Sequence, residues 1–365
     1  MRMRSSIVVG FVWAGALLAG CGGGKSPTPP PVDTTSATGY TNVVLDQDFP
    51  DPSVLKAGGT YWAYATQTFL GNGQRVNIQG ASSMDLVHWT YGNDVLPVKP
   101  AWSTQVWNFW APHVIYAAEQ SRYLMYYSAD ADTSTMCIGI ATSATPQGPF
   151  TDIGSPLACG NDYWHIDPMA FDDPVSGKHY LYWGSNFQPI AVQELDADRV
   201  HFASGSAPAM VIQPSSAPYE ALVEGPWVIK RGDWYYLFYS GNDCCSLPDA
   251  AHPSNPHYAV LVARSTSPTG PFQKHGAALG TDSSAILTGD DRFKGPGHNA
   301  IVTDSKGDDW IVYHAVDPSK PRLSDNVSIR RPMLIDRIRY DANGWPYVEG
   351  GHPSHGNTTP PAVTP

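Results

Sequence analysis

The chain repeats itself. Residues 138–154, IGIATSATPQGPFTDIG, align with 260–276, VLVARSTSPTGPFQKHG, sharing Ser143 with Ser265, Pro146 with Pro268, Gly148 with Gly270, Pro149 with Pro271, Phe150 with Phe272 and Gly154 with Gly276. A looser copy runs from Gly80 to Gly92, with Trp89 in place of the Phe. Aromatic, alternating segments recur beside them at Tyr61–Tyr64, Tyr123–Tyr127, Tyr180–Trp183, Trp234–Tyr239 and Trp310–Tyr313, and each follows a segment that opens at a proline. Those prolines, Pro52, Pro112, Pro168, Pro226 and Pro296, are spaced 60, 56, 58 and 70 residues apart. A unit of this size cannot bury its own apolar face, so it must stack on copies of itself. Alternating aromatics with 34 Gly and 33 Pro suit short strands joined by tight turns and exclude long helices. The reading is all-β: a five-bladed β-propeller over residues 40–352. The longest step is assigned to a Pro-rich rim insertion, Cys244 to Pro256, and Val43–Phe49 is expected to help close the ring.

The rest of the chain reads as export and tether. Arg2 and Arg4 precede an apolar run, Ile7 to Ala19, that is too short to span a membrane stably. Leu18-Ala19-Gly20-Cys21 resembles a bacterial lipobox, so residues 1–20 are read as a lipoprotein signal with Cys21 lipidated. Residues 21–39, rich in Gly, Pro, Ser and Thr, form a flexible linker, and 353–365 are expected to be a disordered tail. The expected location is the bacterial cell envelope, lipid-anchored, the membrane being met only through the anchor. Four further cysteines lie in an oxidising compartment; the preferred pairing is Cys244 with Cys245 and Cys137 with Cys159. No Cys spacing suggests zinc. A net charge of −11 argues against nucleic acid, whose binders concentrate Lys and Arg. The protein is read as a monomer.

In a propeller, equivalent positions on each inner strand converge on one axial pocket. Here those positions read Asp51, Pro112-His113, Asp167, Glu224 and His298. Three carboxyls in one depression raise the proton affinity of at least one, an arrangement that structure alone rarely requires. Glycosidic hydrolysis needs one protonated carboxyl and one carboxylate, and two of the three could supply them.

FPDPSV around Asp51, WAPHV from Trp110, HIDPM around Asp167, VEGPW around Glu224 and GPGHN around His298 together resemble glycoside hydrolase family 43. The resemblance implies an inverting enzyme with Asp51 as general base, Glu224 as general acid and Asp167 as the carboxylate that raises and orients the acid. Gly184-Ser185-Asn186-Phe187, the Cys244-Cys245 pair and Ile335-Asp336-Arg337-Ile338 are similar to stretches of arabinan-degrading members. The expected substrate is thus a plant pentose polysaccharide or oligosaccharide, foremost α-1,5-arabinan. β-Xylosidase or arabinoxylan arabinofuranosidase activity is the alternative, and a non-catalytic carbohydrate-binding propeller is the rival of another class. The resemblance also implies a calcium ion at His298, with a neutral structural His and a substrate-positioning His as the other readings; no organic cofactor is expected. Trp110 leads the candidate sugar platforms, followed by Trp107, Phe109, Trp164 and Phe187. His113 is placed on the pocket wall, and Arg330 is expected to reach substrate or the acid.

Overall fold

The computed structural model describes residues 39–363 apart from 71, 72, 185 and 253. The signal, Cys21 and nearly all of the linker lie outside the described residues. Among these residues no helix is long and apolar enough to cross a membrane.

Five antiparallel sheets follow one another along the chain and form the blades of a propeller. Blade 1 comprises Ser53–Ala57, Thr60–Ala65, Gln79–Ser83 and Trp89–Asp94; blade 2 opens with Trp110–Ala117, Arg122–Asp130 and Met136–Ser143. Blade 3 comprises Met169–Asp172, His179–Trp183, Ile190–Leu195 and Ala209–Ile212. Blade 4 opens with Val223–Arg231, Trp234–Asp243 and His257–Ser265, and blade 5 comprises Lys294–Thr303, Asp309–Val316, Met333–Tyr340 and Pro346–Val348. The aromatic segments are the second strands. Tyr64, Tyr126, Tyr127, Tyr182, Tyr239 and Tyr313 are fully buried there, each such side chain contributing roughly 1.5–3 kcal/mol.

The repeated Gly-Pro-Phe turn clamps one blade to its neighbour. Tyr64 of blade 1 donates to Pro146 O of blade 2 at 2.6 Å, and Phe150 N donates to Val95 O at 2.7 Å. Tyr182 of blade 3 bonds Pro268 O of blade 4 in the same way. Gly148 and Gly270 hold left-handed φ of 77° and 83°, and a Cβ on either would come within 3.1 and 3.2 Å of the backbone nitrogen of the following Phe. The repeat is therefore the signature of the interface between blades.

The N-terminal segment closes the ring: Val44 N and Leu45 N donate to Met333 O in blade 5. The tail does not match the expectation of disorder. Tyr40 and Thr358 pair backbone to backbone, Ser354 bonds Asn42 and Asp336, and Ser305 N donates to Ala362 O. Polar and proline-rich as it is, the segment is held by bonds to the closure segment and to blade 5, which composition does not reveal. The inserted loop after Asp243 is a largely exposed rim, as read from the sequence.

Candidate active site

Strand register fixes the axial positions. Ser53 pairs with Tyr64, His113 with Tyr126, Met169 with Tyr182, Trp227 with Phe238 and Ala300 with Val312. Two residues before each first member stand Asp51, Ala111, Asp167, Gly225 and His298, and all five are left-handed, with φ of 55°, 46°, 57°, 58° and 48°. For non-glycine residues that conformation costs about 1–3 kcal/mol each and persists only where the surroundings over-determine it. What holds it is a ring of bonds between blades. The backbone N–H of Asp51 donates to His314 Nδ1 (3.1 Å), of Ala111 to Thr66 Oγ1 (2.8 Å), of Asp167 to Ser128 Oγ (3.0 Å) and of His298 to Ser240 Oγ (2.8 Å). Each acceptor sits at one position of the preceding blade's second strand or just past its end. Blade 3 carries Gly184 there, without a side chain, and Gly225 N instead donates to Asp167 Oδ2 at 3.1 Å. The missing acceptor thus orients the Asp167 carboxylate.

This register corrects three alignments, the first being blade 2, where the axial residue is Ala111 and Pro112-His113 follow it on the strand. In blade 5 the axial residue is His298, and Asn299 rather than Pro296 occupies the place of the other prolines. Glu224 stands one residue before the axial Gly225. Trp110 has the same relation to Ala111, which puts it at the pocket mouth, half-buried and stacked on Tyr163 at 6.3 Å.

The three carboxyls have unlike surroundings. Burial alone would raise Asp51, but Arg331 Nη1 at 3.2 Å from its Oδ1 and His298 Nδ1 at 3.4 Å outweigh burial and hold it well below the usual carboxylate range. Thr66 Oγ1 donates to its Oδ2 at 2.6 Å. His314 Nδ1 is also 3.3 Å from Asp51 Oδ1, yet it accepts the Asp51 N–H and burial lowers its pKa to about 4. It is therefore a neutral acceptor rather than an ion-pair partner. Asp167 is raised well above its ordinary value by burial first, then by Glu224 and Asp51. Glu224 Oε1 accepts the Tyr258 hydroxyl at 2.5 Å. One pocket thus contains a carboxylate pinned in its charged form and a crowded carboxyl pair that competes for a proton.

His298, Asp167 and Glu224 each present one donor atom within 4.8 Å of the others. Ser53 Oγ and Asn299 Oδ1, buried without protein partners, line the same pocket. Because Asp167 and Glu224 compete for a proton, it is the His298 imidazole, with these oxygens, that suits a hard cation keeping much of its water.

The remaining sequence candidates divide. His113 is buried edge-on against Trp227 at 4.9 Å, and burial lowers it to about 4, so it is pocket wall in neutral form. Trp164 commits its indole N–H to Pro189 O at 2.8 Å and packs on Trp183, as part of the blade 3 core. Phe109 is fully buried, whereas Phe187 and Trp107 are 65% and 47% exposed. Arg330 pairs with Asp46 instead of reaching the pocket; Arg331 is the arginine on the base. Both expected disulfides, Cys137–Cys159 and Cys244–Cys245, are present. Sequence reasoning missed Arg331, Tyr258 and His314. Thr66, Ser128, Ser240 and His314 do share a signal, each standing where its aromatic strand reaches the axis.

A sequence model of the glycosyl hydrolases family 43 matches residues 40–346. The chain belongs to this family. It is 32% identical over 306 residues, 82% of this chain and 90% of the relative, to a probable arabinan endo-1,5-α-L-arabinosidase A of Aspergillus flavus. It is 27% identical to an extracellular exo-α-(1→5)-L-arabinofuranosidase of Cellvibrio japonicus, covering 83% of this chain and 86% of that one. Among solved structures, a thermostable family-43 glycoside hydrolase superposes with a TM-score of 0.70 at 28% identity, covering 89% of this chain and all of that chain. The family 43 propeller described above is thus that of a glycosidase.

Proposed function

We propose that this glycosidase hydrolyses α-1,5-linked L-arabinan, releasing arabinose or arabino-oligosaccharides with inversion at the anomeric carbon. The observation that carries the reading is the asymmetry of the pocket: Asp51 pinned as a carboxylate by Arg331, facing the Asp167–Glu224 pair that retains a proton. Arabinan-cleaving relatives, one named as endo-acting and one as exo-acting, support the substrate class.

In the proposed reaction Asp51 takes a proton from water, whose oxygen attacks the anomeric carbon. Glu224 gives its proton to the departing glycosidic oxygen as the carbon–oxygen bond breaks. Asp167, fixed by the Gly225 N–H, shares one proton with Glu224, and repulsion between the two carboxyls keeps both from ionising together until that proton passes to the leaving oxygen. Tyr258 donates to the Glu224 carboxylate left behind. Trp110, stacked on Tyr163, offers an apolar face to the sugar. A hydrated calcium at His298 belongs to the same proposal and would supply positive charge at the pocket floor; chelation followed by calcium titration, read as thermal stability, tests it. Attachment to the envelope through lipidated Cys21 is likewise proposed, and metabolic labelling with a radioactive fatty acid tests it.

The substrate reading is tested on linear 1,5-arabinan, 4-nitrophenyl α-L-arabinofuranoside and 4-nitrophenyl β-D-xyloside, with Glu224→Ala as control. Arabinose products from linear arabinan that vanish in the variant support it. Xylose release alone moves the enzyme to xylan, and no turnover on any of the three overturns pentose hydrolysis.

A further inference from the structure

The loop between the second and third strands of blade 4 begins with two adjacent cysteines bonded to each other. Asp243 fastens it at both ends: its Oδ1 accepts the backbone N–H of Cys245 (2.9 Å) and Ser246 (3.1 Å), and its Oδ2 accepts Asn255 Nδ2 (2.9 Å). A disulfide between neighbours closes a small ring, so the two sulfurs have none of the rotamer freedom of separate side chains. Cys244 is half-buried and Cys245 exposed.

Cys245 Sγ lies 3.5 Å from Arg331 Nη1, the nitrogen that is also 3.2 Å from Asp51 Oδ1. The Arg331 side chain is only 12% exposed, and its Nε has no protein partner. The guanidinium therefore reaches the base through one nitrogen, with the sulfur against that nitrogen on the loop side. Sulfur is a weak acceptor that does not compete strongly with a carboxylate for the N–H. Seated against that nitrogen, it stands in the way of a long, flexible arginine leaving the base.

We propose that the Cys244–Cys245 disulfide is a positioning element of the active site: the Cys245 sulfur caps Arg331 and keeps its guanidinium on Asp51, while the exposed face of the ring walls the base side of the pocket. This rests on the glycosidase reading of Asp51 given above.

The test compares the full chain with its C244S/C245S variant in two measurements. The first is the rate at which phenylglyoxal, a guanidine-specific dicarbonyl, labels Arg331, read by peptide mass spectrometry. Arg199, only 3% exposed and paired with Glu119 and Asp172, serves as the internal control. Arg331 labels several-fold faster in the variant while Arg199 is unchanged. The second is steady-state kinetics on linear arabinan, where kcat falls about tenfold at constant KM and Arg331→Lys adds no further loss. Equal Arg331 labelling, a loss confined to KM, or a loss additive with Arg331→Lys overturns the proposal. Faster Arg199 labelling marks a misfolded variant; phosphine reduction of the folded wild-type chain then decides, expected to speed Arg331 labelling reversibly, with no change refuting the role. If the wild-type chain cleaves no arabinan, the substrate reading fails, and the labelling still decides what the disulfide does.

Discussion

Replacing Tyr258 with Phe removes one oxygen from the acid's surroundings. The hydroxyl donates to Glu224 Oε1 at 2.5 Å, and burial together with Glu224 raises Tyr258 well above the ordinary phenol range, so it remains a neutral donor at any working pH. The ring is fully buried and parallel to His314 at 5.9 Å, packing that Phe retains. A hydrogen bond to a charged group contributes about 1.5–3 kcal/mol. This one is strongest when Glu224 has given up its proton, so its loss falls on the step that expels the leaving group. At about 1.4 kcal/mol per decade, kcat drops roughly ten- to hundredfold. The drop depends on the substrate: arabino-oligosaccharides, whose leaving alcohol needs the proton, lose the full factor, while 4-nitrophenyl α-L-arabinofuranoside, whose phenolate leaves unaided, loses little. Parallel kcat measurements on the two substrates check this. Equal losses on both, or none on either, refute the assignment of Tyr258 to the acid.

Three further outcomes follow from the structure. Arg331→Met removes the largest of the charges that offset burial at Asp51 and so raises its proton affinity; because the base must be ionised, the acidic limb of the kcat/KM profile moves to higher pH and the alkaline limb stays, as a pH series shows. Arg330→Ala removes the pair with half-exposed Asp46 together with the packing of a largely buried side chain, and lowers stability by about 1–3 kcal/mol, with kcat/KM unchanged in the standard assay. Ending the chain at His352 removes the Tyr40–Thr358 pairing and the Ser354 bonds to Asn42 and Asp336; at about 0.5–1.5 kcal/mol per bond, calorimetry finds Tm lower by several degrees.

The features that repeat were legible in the sequence. The five aromatic segments gave the blade count because each is a blade's second strand, Gly148-Pro149-Phe150 and its copy at 270–272 showed the repeat because each is a clamp between blades, and Asp51-Pro52 and Asp167-Pro168 gave the axis because proline fixes the strand start beside it. Cys244 and Cys245 could be paired from adjacency. What escaped lacks local periodicity. Arg330 and Arg331 are neighbours in an irregular segment, where no alternation tells which faces the pocket, and the choice fell on the wrong one. Blade 5 carries Asn299 at the place of the proline, so Pro296 drew the alignment away although His298 itself was found. Tyr258 reaches Glu224 from the third strand of the same blade, a contact set by sheet register. His314 differs in residue type from Thr66, Ser128 and Ser240, which hid a shared role that only the interblade bonds display.

The central claim is that Asp51 activates water while Glu224 protonates the leaving oxygen. The anomeric configuration of the first product tests it most directly, by proton NMR within the first minutes of arabino-oligosaccharide hydrolysis, before mutarotation. The account predicts that the β-anomer forms first from the α-linked substrate, and that Asp51→Asn abolishes its appearance. Initial formation of the α-anomer, or undiminished hydrolysis by Asp51→Asn, would contradict it.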